Sequence, residues 1–275
     1  MVQLRCILNG LCSLIHYVLL ELAAGIVTVT DFIQATTKDW YQRLKDQSTV
    51  STIKPEIQTN TEWAVPCLQR EFVATEVKSS LFPERYEVYL LNILAEDEAE
   101  NLVQMAEKVG FGYTNYPKLY RGNLRIITFD ESLAVALWPR VKDLVPSTLL
   151  EDGKQFRAIG LNKCWRLAKY LPGDQFQAHV DTFFKSATMQ AGDAFVKSMF
   201  TVNIYMNSQF AGGETKFHFD DESISVSPQT GLCVIFRQPP SQRYSHEGIV
   251  VRSGVKYLFR SDVMYEAVCD EKQKR

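Results

Sequence analysis

The chain has 275 residues, 46% hydrophobic and 23% charged, with a net charge of −2. So much apolar material can bury a core, which excludes a disordered or low-complexity chain. The near-neutral balance offers no general attraction to a phosphate backbone, so a nucleic-acid partner is not expected.

Arg5 precedes CILNGLCSLIHYVLLELAAGIVTV, residues 6–29, which is apolar except for Asn9, Ser13, His16, Glu21 and Thr28. A bilayer-spanning helix takes roughly 20 apolar residues, so the run is long enough. His16 and Glu21 argue against spanning, since a charged group near the bilayer centre costs about 2.5–3.5 kcal/mol on insertion scales. Ala23-Ala24-Gly25 offers a signal-peptide cleavage site. Two readings stand for the leader, residues 1–30. An anchor or signal would bring the protein to the endoplasmic reticulum and its membrane, whereas a packed or unordered leader would leave it cytoplasmic.

Residues 31–83 read as an approach segment, with a short amphipathic helix in DFIQATTKDWYQRLKDQ and a Ser/Thr-rich linker in STVSTIKPEIQTNTEW. Residues 84–155 read as a helical support region. It opens on a strand in RYEVYLLNIL, followed by a helix in AEDEAENLVQMAEKVG. There Leu102, Met105, Ala106 and Val109 share one face, acidic residues fill the first turn, and Gly110 follows the last. Asp130 caps a second helix, in which Leu133, Leu137, Val141 and Leu144 line up and Pro139 forces a kink or a break. Residues 156–266 become β: KCWRLAKYL, QFQAHVD, MFTVNIYMN, SISVSP, LCVIFR, EGIVV and VKYLFRSDVMY are short β-branched or aromatic runs between turn residues, as in a sandwich or barrel. Residues 267–275 are a charged tail. Of the six cysteines, Cys164 and Cys233 sit in apolar strand patterns as buried thiols, while Cys67 and Cys269 could pair in an oxidising compartment.

His179 and Asp181 are two residues apart in one β run, so both side chains leave the same face. His246 offers a third ligand, and two histidines with one carboxylate on one face of a metal form the facial set of non-haem Fe(II) oxygenases. His16 lies in the leader. His218, the rival third ligand, reads as an exposed or structural histidine. Tyr170 stands nine residues before His179, Pro172-Gly173 turns the chain between them, and Lys256 lies ten residues after His246.

The pieces YLPGDQFQAHVD, TVNIYMN, GGETKF, SVSPQTGLCVIF and HEGIVVRSGVKYLFRSDVMY occur in one order over about two fifths of the chain. In this the sequence resembles the Fe(II)- and 2-oxoglutarate-dependent dioxygenases, and most of all their prolyl 4-hydroxylase alpha-subunit-like branch. The resemblance implies a mostly β fold with supporting helices, a double-stranded β-helix (jelly roll) core buttressed by N-terminal helices. It makes His179, Asp181 and His246 the Fe(II) ligands and catalytic set. It also implies 2-oxoglutarate and O2 as cosubstrates, with ascorbate as an accessory reductant. Lys256 would take the distal carboxylate of 2-oxoglutarate, helped by the Tyr170 hydroxyl, and Thr201 would face the cosubstrate. A lysine inside an apolar barrel is costly unless an anion meets it, which favours the same role for Lys256.

The substrate implied is peptidyl proline in a peptide or protein. A hydroxylase or dealkylase of a small molecule or nucleic acid on the same fold is the alternative, with a catalytically silent binding domain behind it. Arg260 and Asp262 read as a structural or mouth-lining pair. Phe176 stands where the family often has a polar residue, and the loop in FFKSATMQAGDAFVKS is expected to cover the open metal face or to be a surface insertion.

Overall fold

The computed structural model describes residues 57–59, 68, 74–77, 82, 86–185, 195–220, 222–240 and 244–268. The leader, most of the approach segment, residues 186–194 of the loop, the tail from 269, and Cys6, Cys12, Cys67 and Cys269 lie outside the described residues. Among those described, no helix is long and apolar enough to cross a membrane.

The N-terminal elements are β1 (Ile57–Thr59), β2 (Thr75–Glu76), β3 (Val88–Asn92), α1 (Glu96–Val109), β4 (Gly112–Tyr113), β5 (Leu124–Phe129) and α2 (Glu131–Leu137). A 3-10 turn follows at Trp138–Arg140. Then come β6 (Thr148–Glu151), β7 (Lys154–Leu161), β8 (Cys164–Tyr170), β9 (Phe176–His179), β10 (Val196–Tyr205), β11 (Phe210–Gly212), β12 (Thr215–His218) and β13 (Ser223–Val226). The chain closes through β14 (Leu232–Arg237), β15 (Ser245–Gly248), β16 (Val251–Gly254) and β17 (Lys256–Ala267).

The large sheet runs β1-β5-β8-β17-β10-β14-β3-β2, with β4, β7 and β6 paired off this path. A four-stranded sheet in the order β13-β12-β15-β9 and the ribbon β11-β16 complete the architecture. Phe217 and Val226 from the small sheet bury against Tyr205, Val234 and Phe236 from the large one, so the two sheets face each other across a shared core. The fold is therefore the mostly β double-stranded β-helix expected, with helices behind it.

Side-chain parity divides the large sheet into two faces. Trp165 and Leu167 on β8, and Phe259, Val263 and Tyr265 on β17, join Leu102, Ala106, Leu133 and Leu137 of the two helices in one buried cluster. The intervening residues, Arg166, Ala168 and Tyr170 on β8 and Lys256, Leu258, Arg260 and Asp262 on β17, turn toward the small sheet. The helical layer is what lets the charged face point inward.

The helices obey their local signals. Glu96, Asp97 and Glu98 fill the first turn of α1, and the backbone N–H of Ala95 donates to Glu98 Oε2 at 2.9 Å. Arg140 grips the same carboxylate through both terminal nitrogens, at 2.7 and 2.8 Å, and donates to the Ile93 carbonyl at 2.8 Å. This pair locks the start of α1 to the turn after α2. The second helix is shorter than its apolar stripe predicts. Asp130 caps it by accepting from the Leu133 N–H, but α2 ends at Leu137 because Pro139 has no N–H to continue it. Residues 84–155 also hold more strand than expected, since Leu124–Phe129 pairs with β8 from Cys164 to Lys169.

Candidate metal and cosubstrate site

β9 and β15 pair antiparallel, with His179 and His246 directly opposite each other and their rings 4.3 Å apart. Asp181 follows two residues after His179. His179 Nε2 lies 3.7 Å from Asp181 Oδ1, and His246 Nε2 lies 3.8 Å from Asp181 Oδ2. One ligand atom from each of the three residues falls within 4.8 Å of the others.

The tautomers follow from the hydrogen bonds. His179 Nδ1 is 2.8 Å from the Gln177 carbonyl, and His246 Nδ1 is 3.1 Å from the Tyr244 carbonyl. A carbonyl only accepts, so each proton sits on Nδ1 and each Nε2 turns a lone pair toward Asp181. Burial, and then the neighbouring His246, pushes His179 down to about 3; burial also lowers His246. Burial alone would raise Asp181, but Arg260 and the two imidazoles outweigh it and hold the carboxyl below its usual range. Two neutral imidazoles and one ionised carboxylate are the donor set a divalent iron takes, with the opposite positions left open.

A buried polar chain aims the carboxylate. Thr201 Oγ1 donates to Asp181 Oδ2 at 2.9 Å. Gln238 Nε2 donates to Thr201 Oγ1 and to Asp262 Oδ1, each at 2.9 Å, and Ser198 Oγ donates to Gln238 Oε1 at 2.7 Å. Thr201, expected to face the cosubstrate, thus gives its only proton to Asp181 and acts as a positioning residue. Arg260 and Asp262 do contact each other, at 3.5 Å, but Arg260 Nη2 also reaches Asp181 Oδ2 at 3.2 Å. Neither Gln238 nor the Arg260–Asp181 contact was legible in the sequence. Gln238 precedes a Pro-Pro pair and belongs to none of the quoted motifs.

Lys256 pairs across the strands with Tyr170. Its side chain is 2% exposed, and Nζ donates to the Gly213 carbonyl at 2.6 Å. The Tyr170 and Tyr205 rings stand 5.1 and 5.4 Å away. Gly213 gives this ammonium its room: its φ of +71° suits glycine, and a Cβ there would meet Lys256 Cδ at 3.0 Å and Phe210 Cε2 at 2.9 Å. No carboxylate lies within ion-pair distance of Lys256 among the described residues, and only one of its three N–H groups is used. Burial therefore pulls the lysine down to about 7, with the charge of Glu214 acting in the other direction. A buried ammonium with two spare donors beside a phenol is built to receive an anion.

Phe176 stacks on the His179 ring at 3.7 Å, and the Arg121 guanidinium lies over its other flank, 4.4 Å from the ring centre. Tyr120 meets Phe176 edge-on at 5.6 Å, and Tyr116 stands 5.9 Å from Tyr120. The loop that carries Tyr116, Tyr120 and Arg121 had no motif to announce it. His218, by contrast, neighbours Phe217, the cross-strand partner of His246, so parity sends it to the opposite face. There it contacts Glu247 at 3.0 Å and Ser223 at 3.2 Å.

Residues 165–261 match the family model described as the 2OG-Fe(II) oxygenase superfamily. Three solved structures similar to the chain illustrate the range. One is the viral collagen prolyl hydroxylase of Paramecium Bursaria Chlorella virus-1 in its 2OG complex, at 18% identity and a TM-score of 0.43, covering 65% of this chain and 96% of that one. The second is a prolyl-4-hydroxylase of Pseudomonas putida, at 18% identity and 0.44, covering 65% and 92%. The third is a prolyl hydroxylase of Trichoplax adhaerens in complex with a hypoxia inducible factor oxygen degradation domain peptide fragment, at 16% identity and 0.46, covering 69% and 86%. No curated protein matches the chain.

Proposed function

We propose, from the match of residues 165–261 to the 2OG-Fe(II) oxygenase superfamily model, that the chain hydroxylates peptidyl proline. The superfamily uses Fe(II), 2-oxoglutarate and O2. The observation that carries the reading is the convergence of His179, Asp181 and His246, with both Nε2 lone pairs turned toward the carboxylate.

In this reading those three residues hold Fe(II), and Lys256 and Tyr170 take the distal carboxylate of 2-oxoglutarate. When bound, iron with 2-oxoglutarate and O2 supplies the oxidising power that turns a C–H into a C–OH, as 2-oxoglutarate loses CO2 and becomes succinate. The chain's own task is to hold, aim and keep dry. Thr201 and Arg260 fix the orientation of Asp181. The apolar wall behind His246, made of Phe217 and Phe236, keeps water from that side of the site. Tyr116, Tyr120 and Phe176 form an aromatic ledge beside His179, the kind of surface on which extended proline-bearing segments dock.

The test is metal content with succinate formation. His179→Ala and His246→Ala should each lose bound iron and 2-oxoglutarate turnover while keeping a β circular-dichroism spectrum, whereas His218→Ala should keep both. Loss of iron in His218→Ala with retention in His246→Ala would overturn the ligand assignment.

A further inference from the structure

Beyond the iron and cosubstrate residues, the same inward face carries more positive charge than its carboxylates balance. Arg166 and Arg260 are direct cross-strand partners on β8 and β17. Like charges placed opposite each other destabilise a sheet, so the pair needs an anion. Asp262 is shared between them, its Oδ2 3.6 Å from Arg166 and its Oδ1 3.5 Å from Arg260. The other carboxylate touching Arg260 is Asp181, already engaged in the triad. Arg121 has no carboxylate within ion-pair distance among the described residues; Asn123 Oδ1 at 2.9 Å and the Phe176 and Tyr116 rings hold it.

Two of the guanidinium nitrogens, Arg166 Nη1 and Arg260 Nε, are buried without a hydrogen-bond acceptor. Yet the Arg166 and Arg260 side chains remain 27% and 20% exposed, so the cluster is open to a ligand. Arg166 stands across the strands from Arg260, whose charge also repels Arg121, and the one carboxylate shared by Arg166 and Arg260, Asp262, is already engaged by Gln238; such a cluster suits a bound carboxylate, which an arginine fork takes through two parallel N–H donors. Lys256 stands four residues before Arg260 on β17, about 13 Å along the strand, and serves the cosubstrate.

We propose that Arg166 and Arg121, with Arg260 behind them, form a subsite for a carboxylate on the substrate. The preferred substrate is then a proline-bearing peptide with an aspartate or glutamate close to the proline. This rests on the hydroxylase reading above and narrows it. The net charge of −2 gives no general attraction to a phosphate backbone, which favours a peptide over a nucleic acid.

The test compares two fluorescent proline peptides that differ only by Glu against Gln beside the proline, first by anisotropy and then by hydroxylation assay. The wild type should bind the Glu peptide about tenfold or more tighter than the Gln peptide. Arg166→Gln should erase that preference through peptide KM, and Arg121→Gln should reduce it, with thermal melts confirming that both variants fold. Arg166→Lys should restore part of it. Equal binding of the two peptides with normal hydroxylation would overturn the subsite and leave the hydroxylase reading standing. Tight, Glu-dependent binding without hydroxylation would support the subsite and sink the choice of proline. A defect of Arg166→Gln in 2-oxoglutarate KM alone would assign the arginine to the cosubstrate and overturn the proposal. Displacement of the Glu peptide by free proline, or by a single-stranded oligonucleotide, at equal concentration would overturn the acidic-peptide assignment.

Discussion

Arg140 and Lys256 are both buried cations, 7% and 2% exposed, yet they live under opposite conditions. Arg140 meets a two-pronged carboxylate and a carbonyl and ties α1 to the turn after α2. Lys256 meets a single carbonyl, two tyrosine rings and no carboxylate within ion-pair distance among the described residues. A buried charge with its counter-ion in place belongs to the architecture; one still lacking it marks where something must bind. The second arrangement is unfavourable in the folded protein alone, and a functional site can tolerate that because its ligand completes it.

The comparison breaks first at Glu98. Glu98→Ala takes away the carboxylate facing Arg140, and loss of one member of a buried pair commonly costs about 3–5 kcal/mol. Chemical denaturation should show that loss, while the folded fraction binds 2-oxoglutarate with unchanged affinity. A variant as stable as wild type would remove the architectural half of the contrast.

Lys256→Met should behave in the opposite sense. An apolar side chain of similar length removes a poorly compensated charge, so the melting temperature of the ligand-free protein should rise. The apparent KM for 2-oxoglutarate should rise by about two orders of magnitude, since about 3 kcal/mol or more is at stake. The pH dependence gives the sign. Burial holds the folded lysine at about 7, below its usual range near 10.4, so between those values the unfolded chain binds the extra proton. Wild-type stability contributed by this group therefore increases from about pH 7 to about pH 10. The advantage of Lys256→Met should be greatest below pH 7 and shrink across that window. Affinity for 2-oxoglutarate should fall as pH rises above about 7, because the anion selects the ammonium. A pH-independent difference between the two proteins would show that Lys256 is not the titrating group.

Tyr170→Phe is the gentlest cut. Losing one hydrogen bond to a charged group costs about 1.5–3 kcal/mol at most, so 2-oxoglutarate KM should rise by less than in Lys256→Met, with iron content unchanged. Equal or larger damage would make the phenol the principal anion holder and reverse the roles.

The parts of this picture that the sequence carried rest on period and on motif. Two-residue alternation put His179 and Asp181 on one face, and the resemblance to the prolyl 4-hydroxylase-like branch added His246, Tyr170 and Lys256. The parts it did not carry depend on which neighbour a polar group finds across the barrel. Thr201 does point inward, but whether its proton goes to a ligand or to Asp181 is settled by Gln238, which stands just past the end of β14. Arg260 was paired with Asp262 from the motif, yet its reach to Asp181 requires the segment just after β9 to meet β17. Arg121 comes from a loop without alternation, so nothing local predicted that it would cover Phe176. The early end of α2, by contrast, was signalled by Pro139 even though the apolar stripe ran on.

Each imidazole of the triad is fastened to the carbonyl two positions earlier in the chain, Gln177 for His179 and Tyr244 for His246. The acceptors are main-chain atoms, so no side-chain substitution can delete them. Mutational drift around the site can therefore retune Asp181, through Thr201, Gln238 or Arg260, without scrambling the protonation of either ring. The two nitrogens form a hard-wired half of the centre and the carboxylate an adjustable one. Differences in metal preference among variants of this chain should map onto the surroundings of Asp181 and leave the histidine rungs unchanged.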